Sequence, residues 1–231
     1  MLEISFCCAL KTTTDSPDRT ANFLRAVGAY EALGCGDHEL VVADYGSTLD
    51  WQELRERAPF PIVVESVSGY FNRAQGLNRA AARARSPLLF FVDADILVPA
   101  RFCETLRRCV GAGRAFFPRC FRLKQGSPLI VRPGLGRWAP GFGMCGILAQ
   151  DFARVGGWDE VLGRSWGGED REFFGRARRR LAVDTSLSEL LDQWHPRSIA
   201  YREKFSDPRV ENASPWKRIR NRKARREGLR D

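Results

Sequence analysis

Leu88-Leu89-Phe90-Phe91-Val92 is an unbroken apolar run that stops at two carboxylates, in Asp93-Ala94-Asp95. A strand without polar alternation has no face to show to water, so it belongs inside a sheet covered on both sides. Its surroundings repeat the theme. Residues 2–9, 38–43 and 60–65 read as strands, and helical patterns at residues 15–32, 49–57 and 73–85 stand between them. Strands alternating with helices predict an α/β fold, a three-layer sandwich around a mostly parallel central sheet. Ligands of such sheets bind beyond the carboxyl ends of the strands, and both Asp44 and the Asp93/Asp95 pair fall at such ends.

The second half of the chain is less regular. Helices are expected at residues 100–110, 147–155 and 168–180, and short strands at 115–118, 129–131 and 181–184. Beyond Pro196 the pattern weakens: residues 197–204 extend as a helix, residues 207–215 read as a linker, and a basic terminus follows. With 231 residues and 44 % hydrophobic composition, one core needs neither disulfide nor metal staples. No run of 18 apolar residues and no basic-then-apolar leader is present, so neither a membrane span nor a secretory signal is expected. Seven cysteines without a C-x-x-C array, beside two histidines, argue against a zinc finger and read as free thiols in a reducing compartment.

The net charge of +9 is concentrated. Lys217 to Arg230 holds eight basic residues and one acidic one, which leaves the remaining chain near +2. The charge therefore describes a tail. It could contact anionic lipid, nucleic acid or an acidic partner, or simply solubilise the chain, and no nucleic-acid recognition motif precedes it.

The acids at the strand ends carry the chemistry. In extended geometry residues i and i+2 point the same way, so Asp93 and Asp95 could share a cation. A hard divalent ion with open positions for substrate phosphates fits such a pair. An Asp-capped strand turn is the plainer reading. Asp44, in a turn with Gly46 and Ser47, could accept from a base N–H or a ribose hydroxyl, or close an Asx turn. Further on, Gly156-Gly157-Trp158-Asp159-Glu160 and Trp166-Gly167-Gly168-Glu169-Asp170 combine glycines, aromatic faces and a helix-opening acid pair. First-turn acids offset the helix dipole without further purpose. One of them could also serve as a general base toward an acceptor hydroxyl, and chemistry alone leaves Glu169 and Asp170 equal. His195, one of two histidines, could complete a metal shell begun by Asp95 or simply lie at the surface.

Together these segments resemble the nucleotide-sugar-dependent glycosyltransferases of the GT-A fold, especially the family 2 type. Asp44-Tyr45-Gly46-Ser47 resembles the D-D-G-S segment, whose first acid contacts uracil, with Tyr45 in place of the second acid. Arg73, Gly76 and Asn78 resemble the segment that precedes the D-x-D motif, and Asp93-Ala94-Asp95 resembles that motif. The Gly156–Glu160 and Trp166–Asp170 stretches resemble the acceptor-side motif of galactosyltransferase-type and chondroitin-synthase-like enzymes. His195 resembles a late metal-ligating histidine. The resemblance covers roughly residues 3–196.

The resemblance implies a GT-A, Rossmann-like fold with a donor-binding half (residues 1–99), an acceptor-binding and catalytic half (100–200) and a basic tail (201–231). It implies a UDP-sugar donor, held by Asp44, Arg73, Asn78, Asp93, Asp95 and Trp166. Mn²⁺ or Mg²⁺ would be held by Asp95, His195 and Asp93. Asp170 would be the base of an inverting transfer to a glycan or lipid-linked hydroxyl, with Glu169 holding a sugar hydroxyl. A retaining transferase and an inactive transferase-like scaffold are the alternatives. The expected setting is bacterial polysaccharide assembly in the cytoplasm, with the tail touching the inner face of the membrane.

Overall fold

A computed structural model describes residues 3–14, 16–33, 37–162 and 168–196. Its first half alternates as the sequence predicts: β1 (Ile4–Leu10), α1 (Pro17–Glu31), β2 (His38–Asp44), α2 (Trp51–Arg57), β3 (Ile62–Ser66), α3 (Arg73–Arg83) and β4 (Leu88–Phe91). Then come β5 (Ile96–Leu97), α4 (Phe102–Cys109), β6 (Arg114–Phe116), β7 (Arg119–Leu123), β8 (Gly136–Pro140) and β9 (Cys145–Leu148). The described chain closes with α5 (Ala149–Val155), α6 (Glu169–Arg178), β10 (Ala182–Asp184) and β11 (Leu187–Asp192).

Seven strands form the central sheet in the order β10-β6-β9-β4-β1-β2-β3. It is mixed but largely parallel: β9 runs antiparallel to both of its neighbours, and the other pairs are parallel. Helices flank it. Along β1, Ile4, Phe6, Cys8 and Leu10 join one core with Phe23 and Val27 of α1 and Phe102 and Leu106 of α4. Cys7 and Ala9 join the other core, with Ala74 and Leu77 of α3 and Phe173 and Ala177 of α6. All seven residues of β1 are buried, which explains its lack of polar alternation. Phe90 and Phe91 of β4 are wholly buried, one in each core, a burial of about 2–3 kcal/mol per side chain.

A smaller sheet, β5-β11-β7-β8, lies beside the first. The sequence reading misses it. The strand expected at residues 129–131 is instead an exposed bend, whereas β7, β8 and β11 form where polar and apolar residues mix without a clear period. Pairing between strands far apart in sequence, rather than local pattern, creates them. Cys103 is disulfide-bonded, so the reading of every cysteine as a free thiol fails there. Spacing carries no information on which thiols a fold brings together. Cys7, Cys8, Cys109, Cys120 and Cys145 are free and buried.

Gly76 explains how close α3 sits to the sheet. A Cβ at this position would stand 2.6 Å from the Ala9 Cβ and 3.1 Å from the Tyr45 ring. Only a bare backbone lets the helix approach β1 and β2 there. No helix among the described residues is long and apolar enough to cross a membrane.

Candidate active site

The carboxyl ends of β2 and β4 face one edge of the sheet, and the expected acids stand there. Asp44 closes β2, with its Oδ1 accepting from the Ser47 backbone N–H at 2.9 Å and its Oδ2 from the Trp51 indole at 2.9 Å. Both oxygens thus have an internal partner, and the carboxylate closes the turn that follows β2. Tyr45 is core: its hydroxyl bonds the Asn72 carbonyl oxygen at 2.8 Å, and burial pushes its pKa up to about 12.

After β4 the chain does not stay extended. It turns at Ala94 and Asp95, with the Ile96 N–H donating to the Asp93 carbonyl oxygen at 3.2 Å. The i, i+2 argument for a shared cation therefore fails geometrically, and the two carboxylates meet different partners. Asp93 Oδ1 accepts from Arg73 Nε at 2.7 Å. Asp95 Oδ2 lies 3.1 Å from His195 Nε2.

Arg73 is the hub of the site. It opens α3, capped by the Asn72 side chain. Beyond Asp93, its Nη2 donates to the Gly143 carbonyl oxygen at 2.5 Å, its Nη1 lies 3.7 Å from Glu169 Oε1, and its guanidinium stands 5.2 Å from the Trp158 ring centroid. Burial opposes its charge, but Asp93 and Glu169 together hold it firmly protonated. A Cβ at Gly143 would come within 2.9 Å of the guanidinium, which would have to shift to admit it.

Glu169 and Asp170 open α6, which is entered through Gly168 at φ +102°, a left-handed conformation that glycine adopts freely. The two acids separate by environment. Glu169 is buried, its Oε2 has no hydrogen-bond partner, and its carboxyl is pushed up to about 7 by burial, against the pull of Arg73. Asp170 is half-buried, and its Oδ1 accepts from the Arg171 backbone N–H at 2.7 Å.

Asn78, expected near the donor, and Trp158, whose ring, from sequence alone, could face a sugar, hold the frame together. Asn78 joins α3 to the glycine-rich loop: its Oδ1 accepts from the Trp158 N–H at 2.9 Å, and its Nδ2 donates to the Trp158 carbonyl and the Glu160 side chain, both at 2.9 Å. Trp158 is buried and stacked on Phe173 at 4.2 Å, so it offers no open face to a sugar ring. Trp166 and the basic tail lie outside the described residues.

The site also depends on residues the sequence does not mark. β11 pairs with β5 just after the Asp95 turn, Asp192 opposite Ile96, and so delivers His195 to Asp95. Asp192 is fixed in turn by Arg122 at 2.6 Å. Gln193 and Asn22 are buried polar residues that tie this strand to α1.

Among the described residues, no group of three or more His, Cys, Asp or Glu side chains is arranged to hold a metal ion. Asp95 and His195 form a pair with a specific requirement. His195 Nδ1 lies 2.8 Å from the Pro196 carbonyl oxygen, which can only accept, so Nδ1 carries a proton. Nε2 then faces a carboxylate oxygen, and only a proton or a cation makes that approach favourable. An imidazole that donates one N–H to a carbonyl and directs its other nitrogen at a carboxylate matches the arrangement of a metal-ligating histidine.

No family model matches the chain. In sequence it is similar to chondroitin sulfate N-acetylgalactosaminyltransferase 2 of Mus musculus, 33 % identical over 157 residues. That alignment takes in 58 % of this chain and 28 % of the mouse protein. It is also similar to N-acetyl-beta-glucosaminyl-glycoprotein 4-beta-N-acetylgalactosaminyltransferase 1 of Mus musculus, 34 % identical over 120 residues, 47 % of this chain and 11 % of that one. The chain thus spans well under a third of these relatives' length, and the relationship to glycosyltransferases is distant. In structure it resembles S. aureus TarS 1-349 in complex with UDP-GlcNAc, with a TM-score of 0.63 at 14 % identity, covering 85 % of this chain and 60 % of that one. The likeness shows a shared fold.

Proposed function

We propose that this protein is a glycosyltransferase of the GT-A arrangement. It would move a sugar from a nucleotide-sugar, a UDP-sugar in the first instance, to a hydroxyl acceptor on a glycan or lipid carrier. The observation that carries this reading is the convergence at one sheet edge of Asp95 with His195, and of Asp93 and Glu169 on Arg73. The distant relatives support it: two are N-acetylgalactosaminyltransferases by name, and the TarS structure holds UDP-GlcNAc.

The donor half (residues 1–99) would bind the nucleotide beside Asp44 and over the β4 turn. Asp95 and His195 would hold Mn²⁺ or Mg²⁺, a mixed carboxylate and imidazole set that suits such an ion when substrate phosphates complete its shell. When bound, the ion supplies positive charge for the diphosphate leaving group. Asp93, also expected as a ligand, anchors Arg73 and through it the Gly143 loop. In the acceptor half (100–200), the partnerless Oε2 of Glu169 would accept from a sugar hydroxyl.

Asp170, the more open of the two acids, would take the proton of the acceptor hydroxyl. The acceptor oxygen forms its bond to the anomeric carbon as the bond from that carbon to the phosphate oxygen breaks, and UDP leaves with the electron pair. One displacement inverts the anomeric centre. The basic tail (201–231), read from sequence alone, would hold the enzyme against anionic lipid near a lipid-linked acceptor.

Calorimetry of UDP, GDP, dTDP and CMP with and without Mn²⁺ tests the donor assignment. Manganese-dependent UDP binding is the expected result. Preference for another nucleotide would overturn the UDP assignment, and binding of none would overturn the transferase reading.

A further inference from the structure

Gln193 is a deeply enclosed polar residue beside the site, with 1 % of its surface exposed, and it carries no charge and no reactive atom. Its amide is fully engaged. Nε2 donates to the Asp95 carbonyl oxygen at 3.1 Å and to the Asn22 carbonyl oxygen at 3.0 Å, while Oε1 accepts from Arg25 Nη1 at 2.5 Å. The orientation of the amide is settled by its partners: a guanidinium only donates and carbonyls only accept, so the oxygen must face Arg25. The Gln193 backbone N–H adds a second bond to the Asp95 carbonyl, at 3.2 Å.

The neighbouring residues extend this into a latch. Asn22 Nδ2 donates to the Trp194 carbonyl oxygen at 3.1 Å, and Asn22 Oδ1 accepts from the same Arg25 nitrogen at 3.0 Å. Helix α1 thereby grips the two residues that lead to His195, while Gln193 also grips the turn that carries Asp95. The two halves of the Asp95–His195 pair come from distant segments, and β11 pairs with β5 only at Leu191 and Asp192. From Gln193 to Pro196 no ladder holds the chain, and the latch replaces it.

We infer that Gln193 is a positioning residue that sets the His195 imidazole against the Asp95 carboxylate, with Asn22 and Arg25 holding it in the required orientation. The inference rests on the proposed role of that pair as ion ligands, and goes beyond it by assigning their geometry to an uncharged residue and to α1. Groups that orient metal ligands typically alter affinity by about 10- to 100-fold when removed.

Gln193→Glu is the informative variant. It keeps the length of the side chain and an acceptor for Arg25, but presents no N–H to either carbonyl. Arg25→Met, at an exposed position, withdraws the partner of Oε1 without touching the strand and serves should Gln193→Glu fail to fold. Two readouts on the full chain separate the claims. In metal-free protein, the His195 ring nitrogen resonances are expected to move in Gln193→Glu, and in the same direction in Arg25→Met, toward their positions in Asp95→Asn. Resonances that stay at wild-type positions overturn the latch. In parallel, Mn²⁺ affinity measured by electron paramagnetic resonance is expected to fall about tenfold in Gln193→Glu, with the melting temperature close to wild type. Unchanged Mn²⁺ affinity beside tight wild-type binding also overturns it. Wild-type protein that binds no Mn²⁺, while the His195 resonances still move, sinks the ion-binding reading and leaves the latch supported.

Discussion

Nε2 of His195 stands 3.1 Å from Oδ2 of Asp95, at a point where the backbone brings together the middle and the end of the described chain. With Nδ1 committed to the Pro196 carbonyl, the facing nitrogen has one lone pair or one proton to offer. Replacing Asp95 with Ala removes one side of the pair. We expect Mn²⁺-dependent UDP binding in calorimetry to weaken by at least about tenfold, and metal-independent binding to change little. Equal binding with and without the substitution would deny Asp95 its role.

Asp170→Asn separates proton removal from binding. Loss of a general base typically costs about 10²–10⁴ in turnover. We expect a fall of that size in kcat with UDP affinity within about twofold of wild type. A parallel loss of both would move Asp170 from proton transfer to donor binding.

Glu169 makes stability depend on pH. Its carboxyl is pushed up to about 7 by burial, from an ordinary 4.5. Between those values the folded protein holds a proton that the unfolded chain has released, so stability falls as pH rises through the window. Glu169→Gln has no proton to lose. The melting temperature of the variant minus that of wild type should climb between about pH 4.5 and 7 and level off above it. A difference that stays constant from pH 5 to 8 would contradict the buried, raised carboxyl.

Arg73→Ala tests the hub. It leaves buried Glu169 without its cation and frees the Gly143 loop. Breaking a buried pair by removing one member costs about 3–5 kcal/mol, and partial exposure of Asp93 places this case at the lower end. Urea unfolding should show a loss of about 3 kcal/mol, and a loss under one would mean that the pairs contribute little to the fold.

Gly76→Ala tests the approach of α3. A methyl group 2.6 Å from the Ala9 Cβ must push the helix off the sheet. Overpacking of this kind costs about 1–3 kcal/mol. Full retention of stability would show that α3 can shift without penalty.

How much of this was legible in the sequence follows from where the information lies. β1, β2 and β4 are buried on both faces, so composition alone marks them, and the acids that end β2 and β4 mark the functional edge. The second sheet is invisible to that logic, because Arg119–Leu123 and Leu187–Asp192 become strands through partners that neither segment's own pattern reveals. The relation of Asp93 to Asp95 is hidden for a related reason. The i, i+2 rule holds for a strand, and the chain had already turned. Gln193 gave no signal at all, since nothing in an isolated glutamine says that two distant carbonyls and an arginine await it. Glu169 and Asp170, equal on paper, differ only because α6 buries one and leaves the other half open.

The latch between β11 and α1 sets an order of assembly. Gln193 closes loops of 98 residues to Asp95 and 171 residues to Asn22, which are among the costliest closures in the molecule. A chain still being synthesised carries the acids of β4 long before it carries the strand that completes their surroundings. β11 belongs to the smaller sheet, so the pairing that completes the site is separate from the ladders of the central sheet. The same joint makes completion of the site wait on a residue made 98 positions after Asp95.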